Sequence, residues 1–156
     1  MAAALVLAGC AGQGGESGDD GGAEGTVKIG FMGDLTGENS GLVKPPRNGA
    51  KLAIDAYNAK NPTTKIKLVE YDSQGKEEQA VALVNKAIQD DKIAGLIGPA
   101  FSGESKAVGE ILDQGKIPSV SPSATNPDLA KNGWKYWHRV VANDDDQGPG
   151  ISDFLV

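Results

Sequence analysis

A doubly wound α/β layer with a parallel sheet is the fold class this sequence predicts. Two observations predict it. Strand and helix signals alternate along residues 27–156 with short connections, the pattern of parallel pairing through right-handed crossovers. Two loops rich in glycine and hydroxyls, GLIGPAFSGES (residues 95–105) and IPSVSPSATNP (117–127), each grow out of a compact apolar run that has the character of a buried strand.

Each element has its own justification. The first strand is Val27–Gly33 (VKIGFMG), an apolar run ended by glycine and Asp34. Residues 48–61 place Ala50, Ala53, Ile54 and Tyr57 on one helical face. Lys65–Tyr71 (KIKLVEY) alternates as a second strand, with Ile66, Leu68 and Glu70 opposite Val69 and Tyr71. Lys76–Asp91 is a helix whose stripe is Ala80, Val84, Ala87 and Ile88, widened by Val81 and Leu83. Lys92–Ile97 and Ile117–Val120 are the next strands. Between them a helix from about Gly103 to Gln114 buries Ala107, Val108, Ile111 and Leu112 and stops at Gly115. A last strand, Tyr136–Val141, precedes an acidic turn and the opening of another helix.

In such sheets ligands lie outside the carboxyl ends of the strands, at the topological switch point. The loops at 33–43, 98–103 and 121–127 all leave those ends and are expected to share one rim. Ser102 and Gly103 fall where a helix begins, so unpaired N–H groups and the helix dipole favour an anion there. A small carboxylate is the ligand class these loops suggest. Ser102 could equally serve as a helix N-cap, and Thr125 as part of a turn before Pro127.

Composition limits the alternatives. The 156 residues suffice for one ordinary domain, and a net charge of −6 with scattered Lys and Arg argues against a nucleic-acid partner. No apolar stretch reaches the roughly 18 residues a membrane-crossing helix needs. Around Ser102 the run AFSGE departs from the nucleophile elbow, since Ala100 and Glu104 stand where glycine is required. The single histidine, His138, lies in a strand-like run and is expected to be a packed or edge residue. GFMGDLTG (residues 30–37) has neither the dinucleotide-binding spacing nor a P-loop's Gly-Lys-Ser/Thr. Asp144–Asp146 suit a helix dipole and lack EF-hand spacing. No catalytic residue, metal site or cofactor is expected.

The N-terminus is similar to a processing motif. Residues 2–9 are small and apolar and lead into Cys10, the only cysteine, and Leu7-Ala8-Gly9-Cys10 resembles the lipobox of bacterial lipoproteins, which implies lipidation of Cys10. Residues 11–25 hold no large apolar side chain and suit a tether. No Lys or Arg precedes Cys10, so residues 1–9 are expected to be only part of a signal peptide.

The ordered set VKIGFMGDLTGENSG, NGAKLAIDAYNAKN, EYDSQG, AVALVNKAI, GLIGPAFSGES, VSPSATNP and YWHRVVANDDDQGPG resembles the substrate-binding proteins of branched-chain amino acid ABC transporters, in the type I periplasmic-binding-protein superfamily. The resemblance covers residues 27–156 and implies two lobes that close on leucine, isoleucine or valine and deliver it to permease subunits. Carried over position by position, it implies ligand contacts at Ser102 (hydroxyl and adjacent backbone, on the carboxylate), Ser123 (backbone) and Thr125 (hydroxyl). Hydroxyls and free backbone groups satisfy a zwitterionic head without a second full charge to desolvate. Gly75 and Phe101 occupy the places of a cysteine pair found in many relatives, leaving Phe101 for the pocket wall or the core, and GENSGLV offers no covering aromatic. The expected organisation is a signal remnant (1–9), a lipidated tether (10–25), an incomplete first lobe (26–141) and the start of a second (142–156) of a chain about twice as long. A ligand-sensing module of the same fold is the alternative, and an α/β hydrolase a remoter one.

Overall fold

A computed structural model describes residues 25–155, so the tether and Cys10 lie outside the described residues. Five parallel strands form one sheet: β1 (Thr26–Gly33), β2 (Lys65–Asp72), β3 (Gly95–Ile97), β4 (Ser119–Ser121) and β5 (Trp137–Arg139), in the order β2-β1-β3-β4-β5. The helices are α1 (Ser40–Asn58), α2 (Glu77–Lys86), α3 (Ser102–Gln114) and α4 (Asp144–Leu155). No helix among the described residues is long and apolar enough to cross a membrane.

The predicted class and element order hold. β1 is an interior strand, flanked by β2 and β3, and its successive side chains serve opposite faces of the sheet. Met32 packs with Tyr71, Val84, Leu96, Val108 and Leu112 beneath α2 and α3, while Phe31 packs with Val43 and Ala100 beneath α1. Both Phe31 and Met32 are fully buried, as expected for a parallel sheet covered on two sides.

Several boundaries differ from the sequence reading. Helix α1 begins at Ser40, about eight residues before the predicted start at 48, and carries Pro45 and Pro46 inside it. The two prolines forfeit two helical hydrogen bonds. Burial offsets that loss, because Val43 is fully enclosed against Phe31 and Ala100. The packing seam of α1 is therefore Val43, Ala50 and Ile54, and the predicted face residues Ala53 and Tyr57 are exposed.

Helix α2 ends at Lys86 and widens into a π turn over Ala87–Asp91, closed by Lys92 in the left-handed region at φ 56°. That reversal consumes Lys92–Ala94 and shortens β3 to three residues. β4 and β5 are equally short, three residues each, and pair with one another along their whole length.

The sheet's two edges are treated differently. On β2, the Asn58 carboxamide donates to the Ile66 carbonyl at 2.7 Å and accepts from its N–H at 2.9 Å. The Gln79 amide donates to the Asp72 carbonyl at 2.8 Å. These side chains occupy backbone groups that would otherwise invite a further strand. On β5, at the other edge, His138 is exposed, in keeping with the expected edge position.

Candidate functional site

The chain leaves β1 for β2 on one side of the sheet and then crosses to β3 on the other. The switch point therefore lies between the carboxyl ends of β1 and β3. Gly98, just past β3, has φ +120°, and a Cβ there would sit 2.4 Å from the Met32 carbonyl oxygen. Only glycine lets the β3–α3 loop pass so close to β1.

Beyond that glycine, the β3–α3 loop is stitched to the loop that follows β4. Pro99 offers its carbonyl to the Ser121 hydroxyl at 2.6 Å, and Ala100 offers its own to the Ser123 hydroxyl at 2.6 Å. In return the Ser102 hydroxyl oxygen accepts the Asn126 N–H at 3.2 Å. Ser102, Ser123 and Thr125 thus stand on one rim, all half-buried. The loop after β1 keeps to its own side: Leu35 N–H and the Thr36 hydroxyl both donate to the Asp72 carboxylate at the end of β2.

The position capping α3 is Phe101, whose N–H is accepted by the Glu104 carboxylate at 3.1 Å. Ser102 is the first helical residue, so its hydroxyl serves the neighbouring loop rather than the helix end. Because Oγ accepts from Asn126, the Ser102 hydroxyl proton remains available as a donor. Among the described residues, the Ser102, Gly103 and Ser123 N–H groups and both the N–H and hydroxyl of Thr125 donate to no protein group. The rim therefore holds several unused donors at and beside a helix N-terminus, with the Glu77 carboxylate lying next to Gly103.

Two clefts lie nearby, and neither is lined by these three residues. One, of about 330 Å³, is formed by Asp34, Gly37, Glu38, Asn39, Gln74 and Lys76, beside the β1 and β2 ends. Another, of about 270 Å³, runs between α1 and the β2 edge, bounded by Lys51, Ile54, Asn58, Leu68 and Glu70. Phe101 packs with Phe31, Val43 and Ala100, and a Cβ at Gly75 would lie 3.7 Å from its ring. The two places that resemblance links by a cysteine pair are neighbours here, and an aromatic side chain fills the space between them.

Sequence reading missed three buried polar groups under this rim. Asp34 is 1% exposed and accepts from Gly37 N–H at 2.5 Å and Asn39 N–H at 2.9 Å, fixing the β1–α1 loop. Ser73 is fully buried, and Glu104 is 1% exposed. Burial pushes the Glu104 carboxyl above its ordinary range; the Ser73 hydroxyl and Phe101 N–H oppose this, and the Asp34 and Glu77 carboxylates reinforce it. Glu104 sits in a helical first turn, where acidic residues are usually solvated, so no pattern in the sequence marked it as buried.

Comparison with known proteins agrees with the fold. Residues 26–156 match the family model described as periplasmic binding protein. An amino acid binding protein of Pseudomonas aeruginosa is 32% identical over 132 residues, covering 83% of this chain and 35% of that protein. The leucine-specific-binding protein of Salmonella typhimurium is 33% identical over the same length, covering 83% and 36%. Among solved structures, the branched-chain amino acid transporter substrate binding protein of Streptococcus pneumoniae, in complex with isoleucine, superposes with a TM-score of 0.72 at 29% identity, covering 76% of this chain and 34% of that one. The chain thus spans about a third of the length of the proteins it matches.

Proposed function

The chain belongs to the periplasmic binding protein family, and on that premise we propose that it is part of an extracytoplasmic solute-binding protein that captures an aliphatic amino acid for an ABC permease. Leucine, isoleucine and valine are the first candidates, in keeping with the names of its relatives. The observation that carries the reading is the rim itself. Two loops locked together beside the switch point, after β3 and β4, leave the Ser102 hydroxyl proton, the first N–H groups of α3 and the Thr125 N–H and hydroxyl without partners among the described residues.

Each site residue has a role in this reading. Ser102 and the α3 N-terminus take the ligand carboxylate. Ser123 contributes its backbone, its hydroxyl being committed to Ala100. Thr125 adds a hydroxyl to the polar head. Residues 26–141 are the lobe that bears these groups, and residues 142–156 begin the second lobe, whose wall closes over the ligand's side chain. Cys10, by its lipobox-like context, anchors the protein to the outer face of the membrane through residues 11–25. Paired acyl chains suit that task, since a single chain holds a protein only marginally.

A single wall gives weak binding. A micromolar clamp corresponds to about −8.2 kcal/mol, and half of it to about −4.1 kcal/mol, or about 1 mM. Titrating the isotope-labelled chain with leucine to about 10 mM, followed by amide NMR, tests the site. Shifts are expected at Ser102, Gly103, Ser123 and Thr125. Shifts absent there, or confined to the cleft beside Asp34, would refute it. The anchor is tested by membrane fractionation of the full-length gene product, complete signal peptide included, expressed in its bacterial host as Cys10 and as Cys10→Ala. The cysteine form is expected in the membrane, and identical distributions would end the assignment.

A further inference from the structure

The loop that carries Thr125 is held from outside by one short stretch of chain. Arg139, the last residue of β5, donates from one guanidinium nitrogen to the Asn126 carbonyl at 2.9 Å and to the Ala124 carbonyl at 3.4 Å. Asp144, the first residue of α4, donates its N–H to the Thr125 carbonyl at 3.0 Å. Three consecutive carbonyls, those of Ala124, Thr125 and Asn126, are therefore taken by the two ends of the connector 139–144. The Ser121 and Ser102 hydroxyl oxygens accept the Ala124 and Asn126 N–H groups at 3.0 and 3.2 Å. Thr125 is left with its N–H and hydroxyl as its unused polar groups.

The guanidinium is itself fixed. It stacks over the Trp137 ring at 5.6 Å, and that ring is 7% exposed among Ala124, Leu129 and Trp134. A planar, always-charged group over an aromatic face suits arginine, because a lysine ammonium lacks the delocalised plane that rests on the ring. Among the described residues, both side-chain hydrogen bonds of Arg139 go to the Thr125 loop.

We infer that Arg139 is a positioning residue for ligand binding: it sets Thr125 on the rim and ties that loop to the connector between β5 and α4. The inference rests on the amino-acid-binding reading above and adds a residue and a coupling to it. Displacement of the connector moves the Thr125 carbonyl through Asp144 and its neighbours through Arg139. The site and the connector therefore move together.

The test uses the 156-residue chain with Arg139→Met, which keeps length and removes donors, and Arg139→Lys, which keeps the charge and one donor group. In Arg139→Met, Asn126 and Asp144 amide exchange is expected to speed up about tenfold while Leu96 and Ser119 keep their rates. The leucine-dependent shift at Thr125 is expected to disappear with it, and Arg139→Lys to restore part of both. Unchanged exchange at Asn126 and Asp144 would overturn the inference. So would equal acceleration at Leu96 and Ser119, which would mark Arg139 as a general fold contact. An unsubstituted chain with no leucine shift at Ser102 and Thr125 would refute the ligand reading instead, and the exchange pattern would then judge the loop-holding role by itself.

Discussion

Replacing Thr125 by valine separates ligand binding from loop architecture more cleanly than any change at Ser102. Ser102 Oγ accepts the Asn126 N–H, so its removal loosens the same loop that carries Thr125. The Thr125 hydroxyl bonds to nothing among the described residues, while its carbonyl is held by Asp144 whatever the side chain. Valine keeps the branched shape in a half-buried setting, so stability should change by no more than about 0.5 kcal/mol. A lost hydrogen bond to a charged ligand group costs about 1.5–3 kcal/mol, roughly a tenfold to hundredfold drop in affinity. Starting from about 1 mM, about 10 mM leucine saturates about 90% of the unsubstituted chain, but only about 10–50% of Thr125→Val. Amide NMR titrations of both chains, with urea unfolding alongside, read these quantities. The head group is common to all amino acids, so leucine, isoleucine and valine should weaken by one factor. An unchanged leucine titration, or a loss for one amino acid alone, would refute the placement of Thr125 on the polar head.

Three further outcomes follow from the packing. Gly98→Ala should destabilise by more than about 3 kcal/mol, because its Cβ meets the Met32 carbonyl at 2.4 Å at φ +120°; Gly133→Ala, at φ +74° in open space, should cost about 1 kcal/mol, and urea unfolding ranks the two. Asn58→Ala removes two hydrogen bonds from the β2 edge, about 1–3 kcal/mol together, with faster exchange at the Ile66 amide and, in sedimentation, new self-association through the opened edge. The raised carboxyl of Glu104 means the folded chain binds more protons than the unfolded one above the ordinary glutamate value of 4.5, so its contribution to stability is present below that pH and is lost as pH rises through the folded value. Glu104→Gln should erase that fall and melt above the parent at pH 7; a parent that gains stability over the same range relative to the variant would contradict the burial argument.

The period-2 runs and the 3.6-residue stripes, with short connections between them, determined the parallel α/β layer and the order of its elements. They also placed Ser102, Ser123 and Thr125 at the carboxyl ends of strands, because glycine- and hydroxyl-rich segments after apolar runs have few other uses. Those signals are local, set by backbone periodicity and turn chemistry. What the tertiary structure alone decided depends on which surfaces meet. Val43 carries α1 through Pro45 and Pro46 because Phe31 and Ala100 enclose it. Phe101 caps α3 because Glu104 is folded beneath it, which releases Ser102 to hold the loop after β4. Glu104 loses water only when the β1 and β2 ends close over it, and Arg139 finds the Ala124 and Asn126 carbonyls across 13–15 residues of chain. Burial and long-range hydrogen bonding are properties of the assembled sheet, which local periodicity and turn chemistry do not report.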